Sequence, residues 1–176
     1  MEDGTQGFVG KDEVILRRCL NKPNEQHVHP VDLITGKPKM GVAGFRLNDG
    51  EDGASCYREV LLNANGQTAS AVSKNGSSYV FAFEARVVKE IDFSDLLQGN
   101  NDIGWKGWDV IYNPVPDEPG AEPIGHAHAL VAPYYGFSYN PKDRLLKKSF
   151  NLVRSTVIEK SEVVFAPVEP SPPAAA

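Results

Sequence analysis

The stretch Tyr79-Val80-Phe81-Ala82-Phe83-Glu84-Ala85-Arg86-Val87-Val88-Lys89-Glu90-Ile91 decides the fold. Tyr79, Phe81, Phe83, Ala85 and Val87 share one face of a period-two pattern, while Glu84, Arg86 and Val88 share the other. Such alternation predicts a long strand in a sheet with one buried face. On either side, the chain reads as short apolar runs separated by Gly, Asn, Asp and Pro. Val14 to Leu20 is compact and apolar but carries Arg17 and Arg18, and periodicity alone leaves it as a strand or a helical turn. Val42 to Leu47 reads as a strand ended by the turn Asn48-Asp49-Gly50-Glu51-Asp52-Gly53, with Ala54 to Leu62 as its hairpin partner. Asp109 to Tyr112 and Gly125 to Ala132 are further strands, separated by the proline-rich loop Asn113 to Pro123.

Helical spacing appears at Leu146, Phe150, Val153 and Val157, after Asn140 as a candidate N-cap and Pro141 at the first helical position. Lys142, Arg144, Lys147, Lys148 and Arg154 fill much of the other face, the pattern of a solvated helix surface. Glu162 to Phe165 adds an edge strand. The expected class is therefore α+β: an antiparallel or mixed sheet with a C-terminal helix packed on one face. Residues 1–12 are expected to be loose, 13–166 to form a single domain, and the Pro- and Ala-rich segment 167–176 to leave it as a disordered tail.

Composition narrows the function classes. The chain has 176 residues, 41% hydrophobic and 23% charged, with 18 basic against 23 acidic side chains for a formal charge of −5. This mild acidity argues against a nucleic-acid-coating protein. No apolar run approaches the roughly 18 residues that a membrane span needs. The acidic start Met1-Glu2-Asp3-Gly4 is unlike a signal peptide, and Cys19 and Cys56 fit a reducing compartment, so a cytoplasmic protein is expected. No Gly-rich phosphate loop, nucleophile elbow or dinucleotide fingerprint occurs.

All four histidines fall in two His-X-His pairs, His27-Val28-His29 and His126-Ala127-His128. On strands, the imidazoles of each pair would share a face about 7 Å apart, and two such strands side by side would offer a four-imidazole metal site. The alternative is that one histidine of each pair serves a buried polar group and the other is exposed. Asp49, Glu51 and Asp52 crowd a glycine-rich turn, but without the distal Glu of a calcium loop they read as a solvated hairpin. Arg17, Arg18 and Arg46 lie near the first strands, and any one of them is a candidate anchor for a carboxylate or phosphate.

The string His29-Pro30, Gly36, Gly44-Phe45-Arg46, Glu51-Asp52-Gly53-Ala54-Ser55 and Tyr57 resembles a family of small uncharacterised bacterial proteins patterned His-Pro, Gly, Phe-Arg, Asp-Gly-x-Ser. The resemblance continues through Asn113-Pro114-Val115-Pro116-Asp117, Ala127-His128-Ala129 and the helix from Pro141, covering residues 14–155. The chain departs from the pattern in three ways: Asn113 stands where Asp is usual, the loop Glu118 to Gly125 is longer, and His27 and His126 are additional. The resemblance implies a shared fold and a shared site, with no established activity.

Two function classes follow. The first is a small cytosolic binding or interaction module, by analogy an accessory or immunity component beside a larger bacterial effector. In it His29, Arg46, Ser55, Tyr57 and His128 would line one groove for a protein partner or small ligand. The second is an enzyme. In an NAD-consuming ADP-ribosyltransferase-like arrangement, Arg17 or His29 would hold the cofactor phosphates, Ser55 and Tyr57 would support the nicotinamide side, and Glu84 would be the acid. In a metal hydrolase, His27, His29, His126 and His128 would be the ligands.

Overall fold

The computed structural model describes residues 7–47, 51–98, 107–120, 122–133, 140 and 142–168. Its strands are β1 (Val14–Leu20), β2 (Val28–His29), β3 (Lys39–Met40), β4 (Ala54–Arg58), β5 (Ser78–Glu84), β6 (Trp108–Tyr112), β7 (His128–Pro133) and β8 (Glu162–Phe165). Six of them form one sheet in the order β6-β7-β4-β1-β5-β8, and β2 and β3 form a separate pair. Neighbouring strands of the large sheet all run antiparallel. The helices are α1 (Glu59–Ala64), α2 (Ala69–Val72), α3 (Arg86–Lys89), α4 (Ser94–Leu97) and α5 (Arg144–Lys160). The fold is α+β, with the C-terminal helix against the sheet.

Alternation along the strands sorts side chains onto two faces. Ile15 and Cys19 of β1, Phe81 and Phe83 of β5, Ala54 and Cys56 of β4, and Val131 of β7 join the larger core with Leu146, Phe150, Val153 and Val157 of α5. Phe45 fastens the two layers, edge-on to Phe83 and stacked on Phe150, each with centroids 6.1 Å apart. Leu16 and Val80 face the other way, where Leu62 of α1 and Val72 of α2 cover them in a smaller core.

Several elements differ from the expectations. Val14–Leu20 is a strand, its seven residues in continuous register with β5. The long strand ends at Glu84, because the amides of Ala85 and Arg86 turn aside to the carbonyls of Glu13 and Lys11. Beyond that point Ala85 and Val88 are buried three positions apart, a helical spacing that period-two reading cannot separate from a strand.

Val42–Leu47 is not a strand. Val42–Gly44 forms a 3₁₀ turn, and β4 pairs instead with β1 and β7. β4 itself stops at Arg58, where α1 begins with Glu59 in its first turn. Gly125–Ala127 is likewise a 3₁₀ turn, so His126 precedes the strand that His128 opens.

α5 starts later than Asn140. Its N-cap is Asp143, whose Oδ1 accepts from the amides of Leu145 and Leu146, while Asn140 Oδ1 accepts from the Lys142 amide in the turn before it. Pro141 lies outside the described residues, as do Asp49, residues 1–6 and residues 169–176.

Within residues 7–12, contacts reach the domain. Val9 is buried in the larger core, and the Phe8 carbonyl accepts from Arg58 Nη2. Arg58 is 2% exposed and pairs through Nε and Nη2 with Glu13 Oε2 and Oε1 at 2.8 and 2.9 Å. This two-pronged contact ties the leading segment to β4.

Candidate functional site

The site arises where the sheet splits. β1 and β4 share two register pairs, Ile15 with Arg58 and Leu16 with Tyr57, and from Arg17 onward they part. The Val42–Gly44 turn enters the fork from the side. Gly44 fits only as glycine: an added Cβ would stand 2.5 Å from the His27 carbonyl oxygen and 2.9 Å from Cys19 Sγ. Arg17 spans the opening, donating from Nε to the Gly44 carbonyl at 2.9 Å and from Nη1 to the Ser55 carbonyl, with its guanidinium 5.5 Å from the Phe45 ring centre. A side chain thus takes the place of the missing strand ladder.

A cleft of about 180 Å³ opens over this fork. Among the described residues its charged lining consists of Arg17, Arg18 and Arg46, joined by His27, Ser55 and Tyr57, with no carboxylate. The side chains of Arg18 and Arg46 make no hydrogen bond or ion pair among the described residues. Three guanidinium groups around a concave surface, with no lining counter-charge among the described residues, form an anion-binding arrangement.

His27 is buried, with Nε2 3.8 Å from Glu25 Oε2. Burial, and then the positive charge of Arg46, hold its imidazole below the ordinary histidine range, with Glu25 opposing. Tyr57 is half-buried; its ring meets the His128 ring edge-on at 5.6 Å, and burial raises its hydroxyl above the usual tyrosine range. His128 Nδ1 lies 2.7 Å from the Asn113 carbonyl, which can only accept, so Nδ1 carries the proton. Burial lowers its pKa, with that hydrogen bond opposing.

Of the residues expected to share one groove, Arg46, Ser55 and Tyr57 line the cleft and His128 stands behind Tyr57. His29 does not line it; that place belongs to His27, while His29 is exposed on β2 opposite Lys39. Ser55, Tyr57 and His128 share no side-chain hydrogen bond among the described residues.

The four-imidazole cluster does not form. His126 Nε2 lies 3.1 Å from Asn65 Nδ2 and 3.3 Å from the Leu61 carbonyl, accepting from the first or donating to the second according to its tautomer, and either contact ties its turn to the end of α1. Among the described residues no three His, Cys, Asp or Glu side chains gather where they could hold a metal ion. Glu84 is exposed at the end of β5, paired with Arg86 Nε at 2.7 Å, and does not line the cleft.

The convergence of Arg17 and Arg18 with Arg46 was the part hidden from sequence reasoning. Each arginine was visible as an anion anchor, but the approach of Arg46 to Arg17 and Arg18 depends on the Val42–Gly44 turn reaching β1, where Arg17 holds the Gly44 carbonyl 27 positions away. Compared with protein families, curated proteins and solved structures, the chain matches none. No helix of the described residues is long and apolar enough to cross a membrane.

Proposed function

We propose that this chain is a small binding module that makes or breaks no bond of its own, and that it holds an anionic group of a protein partner or small ligand in the fork between β1 and β4. The observation that carries this reading is the trio Arg17, Arg18 and Arg46 around a cleft that no carboxylate lines among the described residues. Arg17, fixed by two carbonyls, is preorganised, while Arg18 and Arg46 have donors to offer. A charge-assisted contact to an anion contributes about 1.5–3 kcal/mol where water is excluded, and less at an open mouth. An accessory or immunity role beside a larger bacterial effector would suit such a module, and so would the family pattern of His-Pro, Phe-Arg and Asp-Gly-x-Ser.

Calorimetric titration with citrate, as a small multivalent anion, tests the reading. Binding is expected for the native chain and a loss of about tenfold or more for Arg46→Glu and for Arg18→Glu, since each reversal replaces an attraction by a repulsion. Equal affinity in both variants would remove the fork as the site. Incubation with NAD is expected to leave the cofactor intact; its conversion would overturn the non-catalytic reading in favour of the NAD-consuming alternative.

A further inference from the structure

Arg18 and Tyr57 line a second space besides the cleft. It is a chamber of about 50 Å³ under α2 and the loop from Val115 to Gly125, walled by Ala71, Val115, Pro116, Ile124 and the Tyr57 ring. One water needs roughly 10–15 Å³ of such space, so the chamber takes about four heavy atoms. That is the size of an isobutyl group.

Three carboxylates and Lys74 line it too: Asp117 Oδ1 accepts from the Gly125 amide, Glu118 pairs with Lys74 at 2.9 Å, and Glu122 is exposed. These carboxylates repel an anion at the chamber end, whereas the arginines attract one at the cleft end. The two spaces that share Arg18 and Tyr57 therefore differ in what they accept: negative charge in the cleft, apolar bulk in the chamber.

We propose that the occupant is the C-terminal residue of an acidic segment of a protein partner. Its carboxylate sits on Arg18, its aliphatic side chain fills the chamber, and a preceding acidic side chain reaches Arg46. A terminal residue fits because carboxylate and side chain share one carbon, as the two spaces share Arg18 and Tyr57. The chamber holds about four heavy atoms, so a side chain fills it and the main chain of an internal residue has no room to continue there. This inference rests on the reading of the fork as an anion site.

Fluorescence anisotropy with a fluorescein-labelled Ser-Gly-Glu-Asp-Glu-Leu peptide tests it. The free-acid peptide is expected to bind about tenfold or more tightly than its C-terminal amide, and about tenfold or more tightly than the same peptide ending in Gly. Ala71→Phe, which fills the chamber, is expected to erase the Leu-over-Gly preference while keeping the Gly-ended peptide bound. Should Ala71→Phe lose its fold, Val115→Phe on the facing wall is read in its place. N-acetyl-leucine is expected to compete only weakly; competition equal to the peptide's would assign the chemistry to a small acid and overturn the peptide occupant. Peptides that bind regardless of amidation or terminal side chain would overturn the terminal-residue inference and leave the anion site standing. Absence of binding by both the peptides and citrate would overturn both readings.

Discussion

Removing Glu13 should be among the most damaging changes a single side chain away from the core can cause. Arg58 lies under the sheet with its guanidinium 2% exposed, and Glu13 meets it at 2.8 and 2.9 Å while also accepting from the Gly10 amide at 2.7 Å. Glu13→Ala deletes the carboxylate that meets two of the guanidinium nitrogens. The Phe8 carbonyl at 3.1 Å and the Tyr112 ring, 5.2 Å from the guanidinium carbon, also contact it and bear no net charge. Breaking a buried pair from one side costs roughly 3–5 kcal/mol. Because Glu13 is 20% exposed and water reaches its carboxylate, the lower end applies, about 3 kcal/mol. For a chain of this size that lowers the melting temperature by roughly 6–12 °C. Urea denaturation followed by circular dichroism should show a lower midpoint with an unchanged slope. Adding Arg58→Met, which removes the buried guanidinium, should recover most of the loss. A Glu13→Ala cost below about 1 kcal/mol, the level of a surface pair, would refute the reasoning.

Other expectations follow from the same geometry. Gly44→Ala should cost about 1–3 kcal/mol and disturb the amides of His27 and Cys19, because its methyl group overlaps the His27 carbonyl; a variant as stable as the native chain with an unchanged amide spectrum would contradict the fork's packing. Burial pushes the Cys19 thiol up to about 12 and Cys56 up to about 11, so both stay protonated at pH 8. Iodoacetamide should then label them at that pH only in urea, and prompt labelling of the folded chain would count against their placement. His27 and His128 are both depressed, chiefly by burial, so the unfolded chain takes up protons first and stability is lost as pH falls below about 6.5. The urea midpoint should drop between pH 7 and pH 5.5, and less so in His27→Gln; a flat profile would contradict buried neutral imidazoles.

The sheet was legible where burial on one face imposes alternation. Tyr79, Phe81 and Phe83 point to the larger core as read, and α5 shows its apolar stripe plainly because Leu146, Phe150, Val153 and Val157 have one surface to cover. Legibility failed where tertiary contacts override local pattern. Val42 to Leu47 has the composition of a strand, yet Gly44 is there for close approach to His27 and Phe45 to join sheet and helix. The stop after Glu84 is written in Lys11 and Glu13, more than 70 positions upstream, whose carbonyls take the next two amides. His29 was favoured over His27 because motif spacing does not reveal direction. Val28 turns into the core with no exposed surface, and the flanking histidines diverge in burial according to what lies beside them, Arg46 for one and solvent for the other.

The central claim, that the fork between β1 and β4 is where this molecule meets its ligand, is tested most directly by following backbone amides during titration with citrate. The largest shifts are predicted at Arg17, Arg18, Gly44, Arg46 and Ser55, with saturation at one anion per chain. Uniformly small shifts, or a set centred on the lysines and arginines of α5, would contradict the claim.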